Sequence, residues 1–94
     1  MPNLNYVNGR AREYRIMKRL EAQGWWCVRS AGSKGVVDIV AFKLWLEDDQ
    51  DRLAARLKTR FIQAKPPGRG PGPEEREKIA ALEKRLGITI EVLS

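Results

Sequence analysis

Residues 28–43 read VRSAGSKGVVDIVAFK. A short apolar run, Trp25, Trp26, Cys27 and Val28, leads into this stretch and ends in Arg29. A polar turn with two glycines, residues 30–35, follows. Residues 37–42 are then apolar at every position except Asp38. Burying a lone carboxylate costs several kcal/mol unless a metal ion, a cation or backbone donors compensate it. A strand of Val, Ile, Ala and Phe with one aspartate near its start therefore calls for a partner supplied by the rest of the chain.

The other elements follow outward from this stretch. Helical spacing of Ile16, Met17 and Leu20 predicts a helix over residues 10–23, with Asn8 or Gly9 at its start and Gly24 at its C-terminal cap. Glu13 precedes Ile16, Met17 and Leu20 by 3, 4 and 7 residues. It therefore shares their apolar face, whereas Arg12, Arg15 and Arg19 form a stripe that can stay solvated. Residues 25–30 form the first predicted strand and residues 36–46 the second, apolar on both faces as a central strand is. Leu44, Trp45 and Leu46 are surplus apolar residues for a small monomer and are candidates for core or a dimer patch. The acidic segment EDDQD, residues 47–51, reads as a solvated turn. A short helix over residues 49–57 is expected after it, with a longer hairpin as the alternative. RFIQAK, residues 60–65, is the third strand and stops at Pro66. PPGRGPG, residues 66–72, is a loop. Pro73 suits the first position of a second helix, with Glu74, Glu75 and Glu77 favoured near its start by the helix dipole. Gly87 ends that helix, and alternation from Ile88 to Leu93 gives a last strand.

Ninety-four residues make one domain, 1–94. One cysteine and no histidine exclude an internal disulfide, a cysteine-built zinc site and imidazole catalysis within these residues. A metal here must be a hard cation bound by oxygen. No apolar run is long enough to span a membrane and the first ten residues lack a signal-peptide pattern, so the expected location is cytoplasmic. The net charge is +6, and residues 1–46 carry 8 Lys/Arg against 3 Asp/Glu. A basic first half points to a polyanion, with nucleic acid first among them.

Laying the second strand beside the third places Asp38 near Gln63 and Lys65, which share a face because strand side chains alternate with period two. Glu13 can approach from the helix. Two carboxylates, an amide carbonyl and an ammonium in one pocket suit Mg²⁺ and the hydrolysis of a phosphodiester.

The order of elements, with Asp38 followed by Gln63-Ala64-Lys65, resembles the PD-(D/E)XK nuclease superfamily. Gly9, Glu13, Gly24-Trp25 and the run VRSAGSKGVVDIVA resemble, within it, the archaeal-type Holliday-junction resolvases. The resemblance implies an α/β fold, a single small nuclease domain with a mixed central β-sheet flanked by helices in the order α-β-β-β-α-β, as in restriction endonucleases. It implies catalysis by Glu13, Asp38, Gln63 and Lys65, with Mg²⁺ or Mn²⁺ held by Asp38, Gln63 and Glu13. The implied partner is branched double-stranded DNA, a four-way junction cut in two opposed strands by a homodimer. Ser30, Ser33 and Lys34, with Arg29, fall on the junction-contacting segment; Arg10, Arg12 and Arg69 are further DNA-binding candidates from their charge and placement. One departure stands out. The motif usually has Glu where this chain has Gln63, which removes a charge from the metal site. The alternatives are another nuclease of the superfamily, acting on branched or nicked DNA, or a non-catalytic DNA-binding module whose site has decayed at Gln63.

Overall fold

The computed structural model describes residues 4–30, 35–49 and 52–94. The element order is α1 (Leu4–Ala22), β1 (Trp26–Arg29), β2 (Ile39–Asp49), β3 (Arg52–Ala64), α2 (Pro73–Leu86) and β4 (Ile90–Leu93). This is the expected α-β-β-β-α-β order. The sheet runs β1-β2-β3-β4, antiparallel through the first three strands and parallel between β3 and β4, so it is mixed.

Strand alternation sorts the core into two layers. Ile39, Ala41 and Ile62 face α1 and pack with Ile16 and Leu20; Met17, Cys27, Ala64 and Leu93 close around them. The opposite face, at Phe61 and Ile90, packs with Val36 and with Ile79 and Leu82 of α2. The helices thus cover opposite faces of the same end of the sheet. Gly24 and Gly87 both take positive φ, +94° and +66°. Gly24 ends the turn after α1, and Gly87 donates its N–H to the Glu83 carbonyl at 2.8 Å. Each allows the chain to leave its helix at once for a strand.

Two expectations are corrected. Helix α1 begins at Leu4 rather than at residue 10, so Asn8 and Gly9 lie inside it. Asn and Gly each cost at most about 1 kcal/mol relative to Ala within a helix, too little to stop one that continues on both sides. The expected short helix over residues 49–57 is also absent: from Arg52 onward this segment is strand, and the longer hairpin is what forms. Leu53, Ala54 and Leu57 fit helical spacing, but Leu53, Ala55 and Leu57 also fit period two. The pairing of β2 with β3 runs unbroken from Ile39↔Ile62 to Asp49↔Arg52 and decides between them.

The outer part of this hairpin extends past both helices. Leu44, Leu46, Leu53 and Leu57 are 64%, 60%, 73% and 64% exposed, and by register they share one face, the face that α2 covers only near Phe61. Trp26 and Val28 of β1 continue it beside Phe42 and Val40. Trp45 turns to the other face, where Lys58 Nζ lies 4.2 Å and Lys43 Nζ 5.9 Å from its ring centre.

Candidate active site

The site forms where β2 enters the sheet. Asp38 stands one residue before β2. Its N–H donates to the Ile62 carbonyl at 2.8 Å, and its carbonyl accepts from Ser30 N–H at 2.9 Å. Strand pairing on both sides therefore fixes its backbone. Its carboxylate accepts a hydrogen bond from Ala64 N–H at 2.8 Å. Burial pushes the Asp38 carboxyl above the ordinary aspartate range. The Ala64 N–H works against that shift, Glu13 reinforces it, Lys65 opposes it and Glu75 reinforces it. The same influences place Glu13, Lys65 and Glu75 within electrostatic reach of Asp38.

By register Gln63 lies directly across from Asp38, and it is the buried polar residue of the core, 3% exposed. Its Nε2 donates to Glu75 at 2.8 Å. Its Oε1 is buried with no hydrogen-bond partner. Lys65 Nζ, on the same face, reaches the Glu75 carboxylate at 2.8 Å. Glu75 thus ties together Gln63 of β3 and Lys65 just beyond its end. The Lys65 contact holds its carboxyl below the ordinary range; partial burial opposes this, and the Gly72 N–H and Gln63 amide add to it.

The sequence-predicted residues are partly gathered. Asp38, Gln63 and Lys65 converge. Glu13 comes from the other layer and holds Arg29 at 3.0 Å, both side chains largely buried. Arg29 and Arg10 lie over the Tyr14 ring, with their guanidinium carbons 5.2 and 5.8 Å from its centre. Ser30 joins the site through its backbone. Ser33 and Lys34 lie outside the described residues, as do Gln50 and Asp51 of the acidic segment.

Two features went unread in the sequence. Glu75 passed as one of several acids favoured by a helix dipole. Its signal was its place three residues after Gly72, where a glutamate reaches back to the first N–H of the helix, combined with a short loop returning α2 to the end of β3. The second is a groove of about 560 Å³ lined by Arg12, Arg15, Lys18, Arg19, Pro67 and Ser94. Arg12 Nε is buried in the fold without a partner. A smaller depression of about 290 Å³, lined by Lys65, Arg69 and Ser94 among others, adjoins it through Ser94 and the Pro66-Pro67 pair. A line of cations therefore leads from Lys65 past Arg69 to the α1 stripe.

Among the described residues, no three His, Cys, Asp or Glu side chains stand together as a ready metal cage. What the site offers is oxygen of mixed type: the Asp38 and Glu75 carboxylates and the orphaned Gln63 Oε1. A buried acceptor left without a donor costs about 1–3 kcal/mol, and a hard divalent cation is a partner that would relieve it. The donor set fits Mg²⁺ or Mn²⁺. No described helix is long and apolar enough to cross a membrane.

No protein-family model, curated protein or solved structure matches the chain.

Proposed function

We propose that this protein is a Mg²⁺- or Mn²⁺-dependent, structure-selective endodeoxyribonuclease that resolves four-way DNA junctions, a crossover junction endodeoxyribonuclease of recombination and repair. The observation that carries this reading is the convergence of Asp38, Gln63 and Lys65, with Lys65 also lining a depression beside Arg69. A divalent cation held by Asp38 and the Gln63 carbonyl would supply Lewis-acid activation and charge neutralisation at the scissile phosphate. Lys65, released from Glu75, presents its ammonium to the charge that develops in the transition state or orients the attacking water. Arg69, Arg12, Arg15 and Lys18 bind flanking phosphates and set the register of the strand. Glu13 holds Arg29 at 3.0 Å, next in sequence to Ser30, whose N–H meets the Asp38 carbonyl.

A junction presents paired scissile phosphates, so symmetric cutting needs two sites in fixed relation. We place the second copy on the bare sheet face. Trp26, Val28, Leu44, Leu46, Leu53 and Leu57 expose roughly 800 Å² there, which is what one partner contributes to a standard interface. By register the face carries no Lys or Arg, and Asp48 stands at its outer edge beside Leu53.

The test is cleavage of a four-way junction and of a matching linear duplex, with Mg²⁺ and with EDTA. Paired cuts in opposed strands of the junction, dependent on Mg²⁺, are expected. Equal cutting of nicked or flapped duplex favours another nuclease of this type. Tight binding without any cutting favours the non-catalytic reading, which the neutral Gln63 and the Lys65–Glu75 pair would then explain.

A further inference from the structure

We propose that Glu75 is a metal ligand, supplying from α2 the carboxylate that the motif position Gln63 lacks, so that Asp38, Gln63 Oε1 and Glu75 together take the divalent cation. The inference rests on the nuclease reading and deepens it.

Three observations carry it. The first is placement. Glu75 is in the first turn of α2, yet it reaches across to β3 and touches both Gln63 and Lys65 at 2.8 Å. A residue serving only to cap the helix needs only the Gly72 N–H, and Glu74 already provides negative charge in the same turn. The second is the orphaned oxygen. Gln63 Oε1 is bonded to the same carbon as the Nε2 that meets Glu75, so it lies within this cluster. It is buried, unpartnered, and on a residue only 3% exposed. An acceptor in that state asks for a cation or a donor, and the neighbouring carboxylates select the cation. The third is charge. Asp38, Glu75 and Lys65 with a neutral Gln63 carry the same formal charge as two motif carboxylates and a lysine. The negative charge is moved by twelve positions in sequence and by one hydrogen bond in space. The Glu75 side chain is 39% exposed, so an ion arriving from solvent can reach it.

The plainer role for Glu75 is neutralising Lys65 alone. The two roles separate in metal binding measured without DNA or turnover. Mn²⁺ affinity is measured by titration calorimetry on the full chain, wild type, Glu75→Gln, and the exchange variant Gln63→Glu/Glu75→Gln, with circular dichroism to confirm folding. As a ligand, Glu75 makes the single variant bind Mn²⁺ at least about tenfold more weakly, and the exchange variant recovers most of that loss. Mn²⁺ affinity within twofold of wild type in Glu75→Gln, with junction cleavage by the wild type intact, overturns the inference and leaves the nuclease reading standing. Wild type that binds no Mn²⁺ and cuts no junction overturns both. Should Glu75→Gln fail to fold, the exchange variant decides: wild-type affinity supports the assignment and loss of binding overturns it.

Discussion

The same two strands live in two environments. At one end β2 and β3 are covered on both faces: Ile39, Ala41 and Ile62 are fully buried under α1, while Phe61 sits under α2. At the other end, from about residue 43 outward on β2 and from about residue 58 inward on β3, the same ladder continues with neither helix over it. There one face is leucine and the other is lysine, arginine and a tryptophan. The hydrogen-bonded ladder does not change between the ends; the burial does. An isolated two-stranded ribbon is marginal in water, so the bare end depends on the covered end for its register. The covered end carries the candidate site, because there burial holds an unpaired amide oxygen and a carboxylate with a raised pKa in place.

The sharpest way to break the comparison is at Asp38. Asp38→Asn should lower cleavage by at least about a thousandfold by removing a metal-ligand charge, with junction binding unchanged or tighter. Cutting within tenfold of wild type takes Asp38 out of the mechanism. The same variant should be more stable than wild type at neutral pH. The Asp38 carboxyl is raised by burial, so the folded chain binds its proton more tightly than the unfolded chain. Wild-type stability from this group therefore falls as pH rises from the ordinary aspartate value through the raised one, and the deficit remains above it. The substituted amide can still accept from Ala64 N–H and never ionises. Thermal melts of both proteins should diverge in favour of the Asp38→Asn variant above that window and converge below it; a less stable variant at pH 7 would mean that the carboxylate stabilises the fold.

Next in size is the contrast between ends. Ile62→Ala, at a fully buried position, should cost about 2–5 kcal/mol. Leu46→Ala on the bare ribbon, measured at a concentration where the chain is monomeric, should cost less than about 0.5 kcal/mol. Comparable losses in urea denaturation would show that the leucine face is covered within one chain.

That contrast also explains what was legible in the sequence. Element order, the Gly24 and Gly87 caps, Asp38 opposite Gln63 and the shared face of Gln63 and Lys65 all came from burial patterning and strand period, which are local and strong at the covered end. The ribbon was harder to read. Its Leu-Ala-Ala-Arg-Leu run suits a helix or a strand equally, and only β2 as a template chooses. Glu75 was missed for a different reason. Its local signal, an acid in a first helical turn, is complete without a second role, and nothing in residues 73–77 says that α2 begins beside Gln63. The Arg12, Arg15 and Arg19 stripe was read as solvated; Pro67 and Ser94, packed opposite it, turn it into one wall of a groove.

The leucine face offers a smaller but direct test. Leu44→Arg/Leu57→Arg places two charges at its centre, on directly paired residues. Wild type at micromolar concentration should sediment as a dimer, and the variant near the 10.7 kDa of one chain. A wild-type protein that is already monomeric, or a variant that remains dimeric, removes this face as the contact between copies. Trp45→Ala, on the opposite face, should leave the mass unchanged.

The smallest expected effect separates two basic surfaces, one at each end. The groove at the covered end holds Arg15 and Lys18, both exposed and opening toward Arg69 and Lys65. The ribbon holds Lys43 and Lys58, but these cations are already engaged. Lys43 donates to the Gln23 carbonyl at 2.8 Å, and both stack on Trp45. A cation held over an aromatic ring and a carbonyl gains less from a phosphate than one that is waiting in solvent. Each phosphate contact on duplex DNA contributes about −0.9 to the slope of log affinity against log salt. Neutralising Arg15 and Lys18 together, as Arg15→Gln/Lys18→Gln, should therefore flatten the junction-binding slope by about 1–2 units. Lys43→Gln/Lys58→Gln should change it by less than half as much. The comparison is internal, since both variants lose two charges and share the same background, so nonspecific loss of net charge cancels between them. The opposite ranking would place the DNA along the bare ribbon, and with it would move the path of the scissile strand away from Lys65 and Arg69.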